Sequence, residues 1–172
     1  MSEPGSKRVP VLEIRLAGPD ESEAIADLIY EAFAPFESQY TAGAFEYTTP
    51  KAGDIRPRFK EGPVWIAELD GQPVGTVSGL PDGDRFYIRS MAIRPAAQRA
   101  GIGQRLLNAL EHYAREHGFE KLYLYTTHVL PGAKRLYEKN GFYVLKETRP
   151  EDWYDMAGLE MEKDLSSHDR GD

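Results

Sequence analysis

Residues 91–107, MAIRPAAQRAGIGQRLL, constrain the fold of this chain more than any other stretch. Residues 85–93 read as a strand that Pro95 cannot continue, and Ile102, Leu106, Leu110 and Tyr113 then recur on one helical face. A strand must therefore stop, turn through Gly101 and Gly103, and restart as a helix. The glycines let backbone approach a ligand without Cβ obstruction, and the first four amides of the helix lack partners inside it. The helix dipole adds roughly half a positive charge, so the junction suits a phosphate or pyrophosphate, and Arg99 adds a mobile cation. The same spacing equally well makes only a tight turn, with Gln98 and Arg99 as solvated surface. Two other phosphate motifs are excluded. The chain has no Gly-Lys-Ser/Thr, and Leu106 stands where a dinucleotide fingerprint needs its third glycine.

The surrounding pattern supplies the other elements. Residues 11–16 alternate apolar and polar as a strand buried on one face does, and Gly18-Pro19 ends it. Asp20 and Glu23 predict a capping box for a helix of roughly three to four turns carrying Ala24, Ile25, Leu28, Ile29, Ala32 and Phe33. Residues 34–63 lose periodicity among prolines 35, 50, 57 and 63 and several aromatics; a short helix fits inside, and such segments often line pockets. Two strand patterns flank Asp70-Gly71, a hairpin signal, and Pro81-Asp82-Gly83-Asp84 predicts a further turn. Gly118 suits the left-handed end of the helix after Gly103, and residues 121–127 form a strand pattern. Ala133, Leu136, Tyr137 and Asn140 share a face of a shorter helix ended by Gly141, with strands from near Phe142 and over 157–164. The order β-α-(irregular)-β-β-β-α-β-α-β-β predicts an α+β fold: a mixed, mostly antiparallel central sheet of about seven strands with flanking helices. One domain over 10–165 is expected, between flexible segments 1–9 and 166–172. Exposed strands near the C-terminus suit pairing with a second copy as a homodimer.

Composition narrows the class of function. Hydrophobic residues make up 41% of the 172 and charged residues 28%, as in a soluble globular protein, and no segment has the length of a signal peptide or membrane span. The cytoplasm is the default location. With 21 Lys+Arg against 28 Asp+Glu the formal charge is −7, which argues against nucleic-acid and membrane partners. No cysteine is present, so disulfides, thiolate metal sites and a cysteine nucleophile are excluded. His112, His117, His128 and His168 make no metal constellation, and no metal is expected.

Gln98-x-x-Gly101-x-Gly103 after Met91-Ala92-Ile93-Arg94-Pro95 resembles the acetyl-CoA motif of the GNAT N-acetyltransferase superfamily. About 30 residues downstream, Ala133-x-x-Leu136-Tyr137-Glu138-Lys139-Asn140-Gly141-Phe142 is similar to that family's A-x-x-L-Y-x-x-x-G-F segment. The resemblance covers residues 64–142, while 34–63 and the C-terminal end carry no specific motif. It implies an acyl-CoA N-acyltransferase fold with a V-shaped opening between strands 4 and 5, which end at Ile93 and Thr127. Acetyl-CoA would lie in that splay as co-substrate. Its pyrophosphate would meet Gln98 and the amides of Arg99, Ala100, Gly101, Ile102, Gly103 and Gln104, and its pantetheine would pair with backbone of Met91, Ala92 and Ile93.

The resemblance implies an acetyl-CoA-dependent N-acetyltransferase acting by direct attack of a primary amine of a small molecule or peptide. Tyr137 matches the position from which relatives protonate the departing thiolate; the alternative is a buried tyrosine packed beside Leu136. Tyr87 stands where many relatives carry a glutamate base, which leaves water relayed by Glu68, Asp84 or Glu31. Leu130, followed by Pro131 and Gly132, stands where relatives often carry an asparagine that bonds the pantetheine arm. Arg89, two residues from both Tyr87 and Met91, would share a face with them and hold a substrate carboxylate, or else be a strand arginine paired with an acid. His128 lies near the expected cleft mouth. Tyr123 and Tyr125 suggest an aromatic sheet face rather than a base-stacking platform. The missing base also fits a different class, an acyl-CoA-binding sensor of the same fold without turnover. An interaction protein with no small-molecule site would leave the glycine turn unexplained.

Overall fold

Seven strands form one sheet in the order β1-β2-β3-β4-β5-β7-β6, with every neighbour antiparallel except β4 and β5. The strands are β1 (Leu12–Leu16), β2 (Val64–Leu69), β3 (Gln72–Asp82), β4 (Arg85–Ile93), β5 (Lys121–Thr127), β6 (Tyr143–Thr148) and β7 (Gly158–Asp164). The computed structural model describes residues 9–98 and 100–165; the expected flexible ends, apart from Val9, and Arg99 lie outside the described residues. Asp70 and Gly71 both take positive φ, 50° and 81°, which matches the twist of the β2–β3 hairpin.

Side-chain alternation gives the sheet two apolar faces. On one, Trp65, Val77, Phe86, Leu122, Leu124 and Met161 pack beneath α4 (Ile102–Glu116) and α5 (Pro131–Lys139). On the other, Val64 and Ile66 meet α1 (Ser22–Phe33), α2 (Ala42–Thr48) and α3 (Ala52–Ile55) through Ile25, Leu28, Ile29 and Ile55. Gly118 and Gly141 end α4 and α5 at φ of 77° and 91°, as their positions predict.

Two local expectations are corrected. The carboxylate that reaches back at the start of the helical path is that of Glu21, whose Oε1 accepts the Gly18 amide at 3.1 Å, while Glu23 is exposed and α1 itself has no side-chain cap. Pro19–Glu21 forms a 3₁₀ turn that starts the helical path earlier and moves the cap back with it. Residues 34–63 are mostly helical: α2 and α3 alternate with 3₁₀ stretches at Ala34–Gln39 and Arg56–Lys60. Pro35 and Pro57 sit within the first two positions of those stretches, where a missing amide costs nothing. Each piece is too short to display a period. Thr41 caps α2 by accepting from the Ala44 amide at 3.2 Å and donates to the Tyr154 carbonyl at 2.6 Å, fastening this segment to the β6–β7 connection.

The β3–β4 contact carries a stability prediction. A Cβ added to Gly79 would lie 2.1 Å from Cζ of Phe86, which is fully buried. Gly79→Ala should therefore destabilise the fold by about 1–3 kcal/mol through overpacking. A urea midpoint unchanged from wild type would contradict this packing.

Candidate active site

Strands β4 and β5 pair only from Arg85↔Lys121 to Tyr87↔Tyr123 and then part. The cause lies on the other side of β4. Thr76 pairs with Ala92 but Ser78 with Arg89, so β4 carries one extra residue, and Ser90 takes a φ of 57°. Such a bulge bends a strand and ends its pairing locally. The splay opens a cleft of ≈ 1440 Å³, larger than the ~300–1,000 Å³ of an ordinary ligand pocket.

The bulge also resets which side chains share a face. Ile88, Met91 and Ile93 pack toward the α4 side, whereas Ala92 joins the core under α1. Arg89 therefore does not share a face with Met91, contrary to simple alternation. The cleft wall includes Tyr87, Arg89, Met91, Ala92, Ile93 and Gln98.

At the cleft's α4 end, Gly101 sits at φ 74° as the residue before the helix and offers no side chain to cap the first turn. A Cβ there would meet nothing within 4 Å, so its requirement is the left-handed backbone. Gly103 answers a different need. Its Cβ would lie 3.0 Å from Ile93 Cδ1 and 3.1 Å from Leu136 Cδ2, so glycine lets α4 seat between the end of β4 and α5. The Ile102 side chain is buried in the core. The Gln104 side chain is engaged: its Nε2 donates to Asn140 Oδ1 at 2.7 Å and to Asn108 Oδ1 at 2.8 Å, while Asn140 Nδ2 donates back to Oε1 at 2.9 Å. That reciprocal amide pair ties the start of α4 to the end of α5. Gly101, Ile102, Gly103 and Gln104 line the cleft, Gln98 reaches the Ile93 carbonyl only at 3.5 Å, and Ala100 is exposed outside the lining. Arg135 and Lys139 on α5 line the cleft as well. The sequence shows them only as a solvated helix face, yet beside a helix N-terminus they make this end attractive to a polyanion.

Tyr137 lines the cleft floor, 5% exposed, its ring edge-on to Phe142 at 5.6 Å. Its hydroxyl accepts and donates no hydrogen bond among the described residues. Burial, with a smaller effect from the neighbouring Tyr87, raises its phenol above the ordinary value. Burial likewise pushes Tyr87 up to about 12. Tyr87 stacks on Tyr123 at 5.0 Å and meets Tyr125 edge-on at 5.8 Å, the aromatic face expected of these strands.

The side of the cleft toward α2 and α3 brings Arg89 together with residues that sequence reasoning did not single out. Tyr47 of α2 packs on Trp153 and Tyr154 at 6.0 and 5.4 Å. Arg58 Nη1 donates to Ser90 Oγ at 2.9 Å, and Arg89 Nη2 donates to Glu61 Oε2 at 3.0 Å. The candidate relays lie elsewhere: Glu68 pairs with Arg15, Glu31 pairs with Arg94, and Asp84 sits in the β3–β4 turn. None of the three lines the cleft, and His128 opens onto an adjacent recess.

Residues 25–142 match the model of the Acetyltransferase (GNAT) family, from the first turn of α1 to Phe142, more than half of the chain. The chain belongs to the GNAT acetyltransferase family. Relatives of this GNAT chain include a probable N-acetyltransferase of Mycobacterium tuberculosis, 33% identical over 101 residues that make up 57% of this chain and 55% of that protein. Another is the probable N-acetyltransferase camello of Xenopus tropicalis, 32% identical over 81 residues, 45% of this chain and 37% of that protein. The chain thus spans little more than a third of one relative and about half of the other. Among solved structures, the PaiA N-acetyltransferase of Thermoplasma acidophilum, in complex with coenzyme A, superposes with a TM-score of 0.77 at 18% identity. That likeness covers 90% of this chain and 99% of the other, a larger share of this chain than the matched family segment.

Proposed function

We propose that this GNAT chain binds acetyl-CoA in the β4–β5 splay and transfers the acetyl group to a primary amine of a small molecule or peptide. The observation that carries the reading is the bulge-opened cleft, with the uncapped α4 N-terminus at one end and the Tyr137 phenol on its floor. The residues present fit the co-substrate. The first-turn amides of α4, with Arg135 and Lys139, suit its phosphates, and the β5-facing edge of Met91, Ala92 and Ile93 suits its amide-bearing arm. Gln98, Arg99 and Ala100 belong to the same proposed turn.

Acetyl-CoA supplies a thioester carbon that an amine attacks directly. As the N–C bond forms and the C–S bond breaks, the Tyr137 hydroxyl gives its proton to the leaving sulfur, and the amine's surplus proton passes to water. Tyr87 and Arg89 form the acceptor side. The proposed setting is the cytoplasm, whose reducing conditions suit a chain needing no disulfide. A single domain over 10–165 is proposed. The edge strand β6, with Tyr143, Val144 and Leu145 exposed, is the surface for pairing with a second copy.

Release of free CoA thiol across a panel of amines tests this reading. Amine-dependent release is expected; tight acetyl-CoA binding with no release from any amine would favour the sensor. With Tyr87 in the base position, the proposed route takes the acceptor's proton to solvent rather than to Glu147 or Asp152, the carboxylates that line the cleft. For an amine of pKa about 9, kcat/KM should rise about tenfold per pH unit below that value and stay level to about pH 10, because the raised Tyr137 remains protonated there. An alkaline fall already below about pH 9 would speak against Tyr137 as the acid.

A further inference from the structure

Two guanidinium groups, Arg58 and Arg89, line the cleft on the side of α2 and α3, and Glu61 is the carboxylate that pairs with one of them. Arg89, its side chain 17% exposed, uses one terminal nitrogen on Glu61, whose own side chain is 44% exposed. Its Nε is buried and has no hydrogen-bond partner among the described residues. Arg58 reaches in from the 3₁₀ stretch after α3, donates to Ser90 Oγ, and makes no ion pair among the described residues. Burial and the adjacent Arg89 pull Arg58 down to about 10, so the corner keeps both cations at neutral pH at an electrostatic cost. An unpaired buried donor and an unpaired cation in one cavity call for an acceptor from outside the chain.

We infer that the corner formed by Arg58 and Arg89 binds a carboxylate of the acceptor, so that the substrate is an amine that also carries a carboxylate. Arg58, Arg89 and Glu61 together leave one positive charge, which suits a single carboxylate, while Arg149 and Asp152 of the same cleft pair with each other and Lys146 and Glu147 add opposite charges. A guanidinium fork meets a carboxylate in two parallel hydrogen bonds, and Arg89 Nε is the donor such a pair would use. Tyr87 lines the same cleft as Arg58, Arg89 and Tyr137, and its phenol interacts electrostatically with all three. A carboxylate held at the arginines therefore keeps the rest of the acceptor near the reacting end of the cleft. The corner lies toward α2 and α3, across the sheet from α4, which separates it from the proposed phosphate end. The Ser90 bulge serves both ends, because the residue that opens the splay also presents Oγ to Arg58.

This inference rests on the proposed acetyltransferase reading, and its test separates the two. CoA release is measured with α-amino acids, β-alanine and γ-aminobutyrate, each beside its carboxamide. At least one free acid should exceed its carboxamide by about 100-fold or more in kcat/KM, since a site built for a polar group rejects the analogue lacking it. Arg58→Met and Arg89→Met should each remove most of that preference through KM while binding acetyl-CoA as wild type does. Carboxamides turned over as well as acids, with a preference unmoved by either substitution, would overturn the carboxylate corner and leave the acetyltransferase reading standing. If no amine releases CoA, that reading fails, and calorimetric titration of the CoA-loaded protein with the same acids decides the corner separately. Binding lost in Arg58→Met supports it, and no binding of any acid overturns it.

Discussion

Tyr137→Phe should lower kcat by about 100-fold or more while leaving acetyl-CoA affinity as it was, the loss expected when a general acid is removed. The substitution is unusually clean here. The ring packs against Phe142 and is 5% exposed, while the hydroxyl holds no hydrogen bond among the described residues, so phenylalanine keeps the packing and strands no partner there. Unfolding midpoints should coincide. Burial also favours the protonated phenol, which a proton donor working at neutral pH requires. A variant that turns over its amine at the wild-type rate would remove Tyr137 from the mechanism and leave it as a core residue beside Leu136.

The second large effect is expected at Gly103. Valine there would drive carbon atoms into Ile93 Cδ1 and Leu136 Cδ2, already 3.0 and 3.1 Å from a bare Cβ. The start of α4 would have to withdraw from β4 and α5, carrying its free amides with it. Misplacing a binding group by about an ångström costs roughly 100-fold, so Gly103→Val should lose acetyl-CoA binding by at least about that factor. Gly101→Ala is the control. Its Cβ meets nothing, and its cost is the left-handed φ, about 1–2 kcal/mol, read in stability. Wild-type affinity in Gly103→Val would mean that the α4 N-terminus is not where the phosphates bind.

The sheet was legible where single residues impose local geometry. Asp70-Gly71, Gly118 and Gly141 all adopt the positive φ their positions require, and the strands and long helices follow between them. The bulge was not legible, because a serine at φ 57° leaves no mark in the sequence. Simple alternation therefore fails beyond Arg89, and Met91 faces α4 instead of sharing the Arg89 face. Arg58 was missed because it lies among helical pieces too short to show a period, and its partner Ser90 is on a distant strand. Tyr47 and Trp153 meet only through tertiary packing. The resemblance to the GNAT motifs brought out Gly101, Gly103 and Tyr137, which spacing alone left open between turn, core and site.

The most direct measurement is calorimetric titration of the purified chain with acetyl-CoA, with NAD as the control dinucleotide. Saturable binding of acetyl-CoA and none of NAD is the predicted result, since the α4 junction lacks the third glycine of a dinucleotide site. Absence of acetyl-CoA binding at any concentration up to millimolar would contradict the central claim that the β4–β5 splay is an acyl-CoA site.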